Sequence, residues 1–259
     1  MQKTGGGATK YSVELLALIV MLIALLSSQL THADEIRVAV ASNFTTAIKE
    51  LSSKFEEQSE HKVKLIFGAT GRHYAQIKNG APFDLFFAAD SWRPELLEKE
   101  GLVQKNCRYT YALGKLVLWS PKTGLIDQQA TVLEQGNFYH IAVANPKLAP
   151  YGKAAQEVLE IRRLWKPLKA KMVRGENIGQ TFQFVKSGNV ALGFVALSQV
   201  KHLEDDEQGS TWNIPDSLYS PIKQQAVLLN KTPAAEEFFA FVKSDQAREI
   251  IKNFGYGLP

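Results

Sequence analysis

A two-lobed α/β fold with a ligand cleft between the lobes is what this sequence predicts, on two observations. Short apolar runs alternate with amphipathic segments from Glu35 onward, and the alternation starts afresh near residue 114, so each half carries its own sheet pattern. Such alternation implies strands joined by crossover helices, in parallel or mixed sheets; a single long sheet is the other arrangement, and the fresh start favours two lobes.

The elements follow in order. IRVAVAS reads as a strand, and FTTAIKELSSKFEEQS as a helix with Phe44, Ile48, Leu51 and Phe55 on one face. VKLIFGA is the next strand, HYAQIKNG a helix stopped by Gly80, FDLFFAAD a third strand and PELLEKEGL a helix. In the second half KLVLWSP, HIAVANP and ALGFVAL are strands, separated by the helices AAQEVLEIRRLW and FQFVKSG. QQAVLLN, EEFFAFVK and AREIIKNFG then return to the first lobe. Residues 34–113 with 221–259 make lobe I and residues 114–220 make lobe II. Crossovers near Tyr111 to Leu118 and Tyr219 to Leu229 form a hinge, with Trp92 and Trp119 packing nearby. KHLEDDEQGSTWN reads as a solvated loop.

Residues 1–33 read as a secretory signal. Lys3 and Lys10 precede the apolar run from Leu15 to Leu26, and small residues lead to a cleavage point near Ala33. A membrane anchor is the alternative, but the run is shorter than the ~20 apolar residues a span needs. The single cysteine, Cys107, excludes an internal disulfide and a Cys-rich metal site, and no cysteine adjoins the cleavage point to carry a lipid. The expectation is a freely diffusing periplasmic protein. Of 30 basic and 26 acidic residues the signal removes Lys3, Lys10 and Glu14, leaving a small, scattered positive balance with no nucleic-acid footprint.

Four strand-to-helix turns carry the functional signal: Ala41-Ser42-Asn43-Phe44, Phe67-Gly68-Ala69-Thr70-Gly71, Asn145 to Gly152, and Glu176-Asn177-Ile178-Gly179-Gln180. In open parallel sheets such turns border the ligand crevice. Helix N-termini offer unpaired N–H groups and a partial positive charge, so they hold anions without cationic side chains. Ser42, Asn43 and Thr70 add donors, and Gly68, Gly71, Gly152 and Gly179 allow close backbone approach. Plain helix capping is the rival explanation for any one turn. Four turns shared between two lobes favour an anion site.

Other residues read as structural. His73 and His140 lack a second ligand at metal spacing. Asp84, Asp90 and Glu176 fit surface, capping or hinge roles. Arg72 could face a ligand, though a place along its helix surface is the commoner outcome. Walker and GxGxxG patterns are absent.

The ordered motifs Ala-Ser-Asn-Phe, Phe-Gly-Ala-Thr-Gly, NGAPFDLFFAAD (Asn79 to Asp90), Asn-Pro-Lys-Leu-Ala-Pro-Tyr-Gly-Lys-Ala-Ala and Glu-Asn-Ile resemble the periplasmic molybdate-binding proteins of ABC importers, along essentially the whole chain from Asp34. The resemblance implies the type II solute-binding fold and no enzymatic activity. It also implies a molybdate or tungstate oxyanion held between the lobes by Ser42, Asn43 and Thr70 from one side and by Tyr151 and the Ile178 N–H from the other. No residue would ligate the metal directly, and no cofactor is implied. The implied partners are an inner-membrane permease and its ATPase, with the receptor itself a monomer. Some members place a tyrosine where this chain has Ala196; Tyr151, on the preceding turn, stands in for it. The expected pocket offers donors only, against phosphate, which keeps a proton near neutral pH. A receptor for sulfate or another small oxyanion, a sensory binding protein and a cleft enzyme of similar fold are the other readings.

Overall fold

A computed structural model describes residues 34–259, so the signal-peptide reading of residues 1–33 lies outside the described residues. The chain opens with strand β1 (Glu35–Ala41), a 3-10 turn (Ser42–Phe44) and helix α1 (Thr45–Gln58). The α1 residues Ala47, Ile48, Leu51 and Phe55 are buried together at helical spacing, which is why this segment is a helix lying on a sheet. Next come β2 (Lys62–Gly68), α2 (Thr70–Lys78), β3 (Leu85–Ala88), α3 (Trp92–Lys99) and β4 (Arg108–Gly114). After Lys115 follow β5 (Leu116–Ser120), α4 (Val132–Gln135), β6 (Ile141–Ala144), α5 (Pro150–Ile161) and α6 (Trp165–Leu168). Then come β7 (Met172–Gly175), α7 (Ile178–Lys186), β8 (Leu192–Ala196), α8 (Leu197–Val200) and β9 (Ser210–Asn213). β10 (Ile222–Leu228), α9 (Pro233–Phe241) and α10 (Asp245–Asn253) complete the chain.

These strands build two mixed five-stranded sheets, ordered β2-β1-β3-β10-β4 and β7-β6-β8-β5-β9. Each has a parallel trio, β2-β1-β3 and β7-β6-β8, flanked by two antiparallel strands. The chain passes between sheets twice, at Lys115 and between β9 and β10. β3 (LFFA), β5 (LVLWS), β6 (IAVA) and β8 (LGFVA) are buried at every residue, as strands covered on both faces must be. Phe44, Phe87, Tyr111 and Phe238 anchor the core of the first sheet, where Phe44 stacks on Phe87 with ring centroids 5.9 Å apart. Cys107 is buried in the same core. Among the described residues no helix is long and apolar enough to cross a membrane.

Two expectations are corrected. The end of KHLEDDEQGSTWN is not solvated loop, because Ser210–Asn213 pairs with β5 as an edge strand and buries Trp212. Trp92 does not pack at a hinge: it is exposed, with the Arg93 guanidinium 5.3 Å from its ring, whereas Trp119 is buried.

Candidate functional site

The carboxyl ends of both parallel trios face each other, and the four turns meet there. Ser42, Asn43, Thr70, Tyr151 and Ile178 all line one tight cavity of about 10 Å³, together with Gly68, Ala69, Ala149 and Asn177. Drug-sized ligands take pockets of roughly 300–1,000 Å³, so none fits here, and the free space is on the order of one water-sized group. None of the lining residues carries a charged side chain. None is a His, Cys, Asp, Glu or Lys that could serve as general acid or base. Among the described residues no cluster of His, Cys, Asp and Glu could hold a metal ion.

The helix starts differ from ordinary capped ones. α2 follows Ala69 and α5 follows Ala149, neither with a side-chain cap, so the first N–H of each helix, on Thr70 in α2 and on Tyr151 behind Pro150 in α5, has no acceptor from the cap residue. α7 is capped by Asn177, whose Oδ1 accepts from the Gln180 N–H at 2.9 Å. That leaves the N–H of Ile178, the first residue of α7, without an intrahelical partner. Thr70 is the first residue of α2 rather than its cap. Its Oγ1 accepts from the Ala89 N–H at 3.0 Å, which leaves the hydroxyl hydrogen for another acceptor.

Ser42 and Asn43 line the cavity, with their side-chain hydrogens given to protein partners. The Ser42 hydroxyl donates to Asn177 Oδ1 and accepts from the Gly179 N–H, both at 3.0 Å, so it bridges the two walls of the cavity. Both side-chain hydrogens of Asn43 are committed, to Gln224 Oε1 at 2.8 Å and to the Tyr256 hydroxyl at 3.1 Å. Asn43 Oδ1 is buried without a partner, so the wall is not made of donors alone. The Tyr151 ring is buried, and its hydroxyl accepts from Gln224 Nε2 at 3.2 Å. Burial holds the Tyr151 phenol well above its ordinary pKa, with the neighbouring Tyr256 and Tyr219 adding to the effect.

The rim is closed over the cavity. The Gly71 N–H donates to the Leu148 carbonyl at 2.9 Å, and Arg93 Nη2 donates to the Lys147 carbonyl at 2.8 Å. Arg72 does not face the cavity: it pairs with Glu176 at 2.6 Å, with both side chains largely exposed. The glycines sit in close contact with protein atoms, and Gly68 also lines the cavity. A Cβ on Gly152 would lie 2.2 Å from the Ala144 carbonyl oxygen, and one on Gly179 would lie 3.0 Å from the Ser42 Cβ. His73 is buried with Nε2 3.2 Å from the Val40 carbonyl, and burial lowers its pKa, which fits a structural histidine. Gln224, Tyr111, Tyr256 and Ser198, which hold the cavity from behind, carried no local sequence signal.

A second, larger groove of about 460 Å³ lies beside the cavity. It is lined by Asp90, Trp92, Arg93, Lys147, Lys153, Glu157 and Lys223 among others. Its charges are largely paired: Asp90 with Arg93, and Lys153 with Glu157 at 3.9 Å.

The family model described as bacterial extracellular solute-binding protein matches residues 36–257. The chain belongs to this family of solute-binding proteins. Within it, the molybdate-binding protein ModA of Azotobacter vinelandii is 50% identical over 250 residues, covering 95% of this chain and 99% of that protein. ModA of Rhodobacter capsulatus is 43% identical over 227 residues, covering 86% of this chain and 88% of that one. The solved structure of the Azotobacter vinelandii periplasmic molybdate-binding protein superposes with a TM-score of 0.83 at 42% identity, over 86% of this chain and 99% of that chain. The sulfate-binding protein SubI from Mycobacterium tuberculosis shares the solute-binding fold, with a TM-score of 0.69 at 14% identity, over 88% and 87% of the two chains.

Proposed function

We propose that this chain is an exported receptor that captures molybdate, and tungstate equally well, and presents it to an ABC permease driven by its ATPase. The observation that carries the reading is the small cavity without charged side chains, where helix starts from both sheets converge. Uncapped N-termini supply fixed partial positive charge and aimed N–H groups, which suit a tetrahedral dianion. The high identity to two molybdate-binding relatives supports molybdate over sulfate.

In this reading the two sheets are the cores of two lobes, residues 34–113 with 221–259 and residues 114–220, which close on the ion. The donors are the Thr70 and Tyr151 hydroxyls and the Ile178 N–H. The Ser42 hydroxyl turns from Asn177 Oδ1 to the ion while still accepting from Gly179. Asn177 tolerates this, because its oxygen keeps the Gln180 N–H. Asn43 acts from behind, through Gln224 and Tyr256. The mature receptor works in the periplasm as a monomer, without a cofactor and without catalysis.

Molybdate and tungstate have nearly equal bond lengths, so the cavity cannot separate them. Sulfate is smaller and leaves donors stretched. Titration calorimetry of residues 34–259 tests this. The expected result is one site per chain for molybdate and tungstate, with sulfate at least about 100-fold weaker, a difference of roughly 2.7 kcal/mol. Equal or tighter sulfate binding overturns the assignment.

A further inference from the structure

The geometry points to Gln224 as a positioning residue that fixes the Tyr151 hydroxyl as a donor to the bound anion. The inference rests on the proposed function, because it concerns the same cavity. Gln224 lies on β10, the strand that returns the chain to the first sheet, and its side chain is completely buried. The β10–β4 pairing is irregular between Gln224 and Gln225, the kind of local bulge that re-aims a side chain next to a site.

A glutamine amide has one accepting and one donating end, and its neighbours decide which way it faces. Two donors converge on Gln224 Oε1: the Tyr111 hydroxyl at 3.0 Å and Asn43 Nδ2 at 2.8 Å. That leaves the amide N–H₂ for Tyr151, whose oxygen lies 3.2 Å from Nε2. Having accepted there, the phenol oxygen is fixed, and its single hydrogen makes no hydrogen bond among the described residues. The hydroxyl is thereby turned toward the cavity that Tyr151 lines as a donor.

Gly114 shows that the fold reserves space for this pair. A Cβ there would lie 2.3 Å from the Tyr151 hydroxyl oxygen and 2.9 Å from Gln224 Nε2. Without Gln224 the phenol oxygen would be free to accept and its hydrogen free to turn to the buried Asn43 Oδ1, which has no partner. The anion would then meet a lone pair in place of a hydrogen.

The test is a double-mutant cycle on molybdate affinity, with thermal unfolding of each ligand-free variant as a control. Tyr151→Phe is expected to weaken binding roughly 10- to 100-fold, the loss of a hydrogen bond to a charged group. Gln224→Met is expected to weaken it on the order of 10-fold in the wild-type background, and by less than about threefold in the Tyr151→Phe background, the non-additivity of groups acting as a unit. A stability role alone would lower the unfolding temperature and weaken binding equally in both backgrounds, and that result overturns the inference. Tyr111→Phe, which releases the accepting end of Gln224 while keeping the ring, is expected to follow the same pattern and covers the case in which Gln224→Met does not fold. If Tyr151→Phe binds molybdate like wild type, the tyrosine contact in the proposed site falls first, and the role of Gln224 with it.

Discussion

The helices at the back of the molecule and those at the cavity begin in different ways. α9 and α10 start behind Thr232 and Ser244, whose hydroxyls accept from the Ala235 and Ala247 N–H groups, each at 3.2 Å. α2 and α5 start behind alanines, at Ala69 and Ala149, with no side-chain cap at all. A missing cap ordinarily lowers stability by about 1 kcal/mol. Gly71, Arg72 and Gly152 already give their N–H groups to carbonyls, and α5 begins on proline, so what is left for the cavity is one N–H at each start, that of Thr70 and that of Tyr151. The same contrast separates the small cavity from the larger groove beside it. The large groove holds charged side chains, four of them paired with one another, while the small cavity holds neutral groups whose hydrogens are partly unassigned.

Moving a feature from one group of helices to the other breaks or sharpens this comparison. The largest effect is expected from Ala69→Asp, which gives α2 a carboxylate cap and places a negative charge where the anion sits. Molybdate binding should fall by more than about 100-fold, roughly 2.7 kcal/mol, as read by calorimetry. Circular dichroism should show the fold retained. Unchanged affinity would mean that the α2 start does not face the ligand. Ile178→Pro comes next: proline is well tolerated at a first helical position, and Asn177 already has the extended backbone that precedes one. Removing that N–H should weaken binding by about 1.5–3 kcal/mol, and thermal unfolding separates this from the loss of the buried isoleucine side chain. Intact binding would remove Ile178 from the site.

Smaller effects sharpen the other side. Thr232→Ala and Ser244→Ala should each lower unfolding free energy by about 1 kcal/mol, measured by denaturant titration, with affinity unchanged. Arg72→Ala removes an exposed ion pair across the rim and should change affinity by less than about 1 kcal/mol. A larger loss, together with steep salt dependence, would make Arg72 a ligand residue after all.

Much of this was legible in the chain, because strand and helix periods are local signals. The alternation of β1, α1, β2, α2 and β3 could be read directly, as could the return of QQAVLLN to the first sheet, which β10 makes. β9 could not, since STWN is short and polar and becomes a strand only by pairing with β5. The four turns were visible as small residues between an apolar run and a helix. Their meeting around one cavity came from topology. The network behind the cavity was hidden for the same reason: Asn43 and Gln224 are 181 positions apart, and neither sits in a motif that names the other. The glycines carried a mixed signal, because Gly71 and Gly179 meet groups across the cleft while Gly68 and Gly152 are tight against His73 and Ala144 of their own halves.

The central claim is that neutral, fixed donors hold the anion, and its direct test is the molybdate dissociation constant across pH and salt. Burial raises the Tyr151 phenol well above its ordinary value of about 10, so its hydrogen stays in place throughout the neutral and mildly alkaline range. Raising the phenol pKa favours the protonated donor, and affinity would fall only as pH approached that raised value. Hydroxyl and N–H donors do not titrate there, and a buried site is screened less than surface charge. The expected result is a change of less than about threefold between pH 7 and 9 and between low and high ionic strength, under roughly 0.7 kcal/mol. A loss of tenfold or more along either series, about 1.4 kcal/mol, would contradict the account and point to titrating or exposed cationic groups as the ligands.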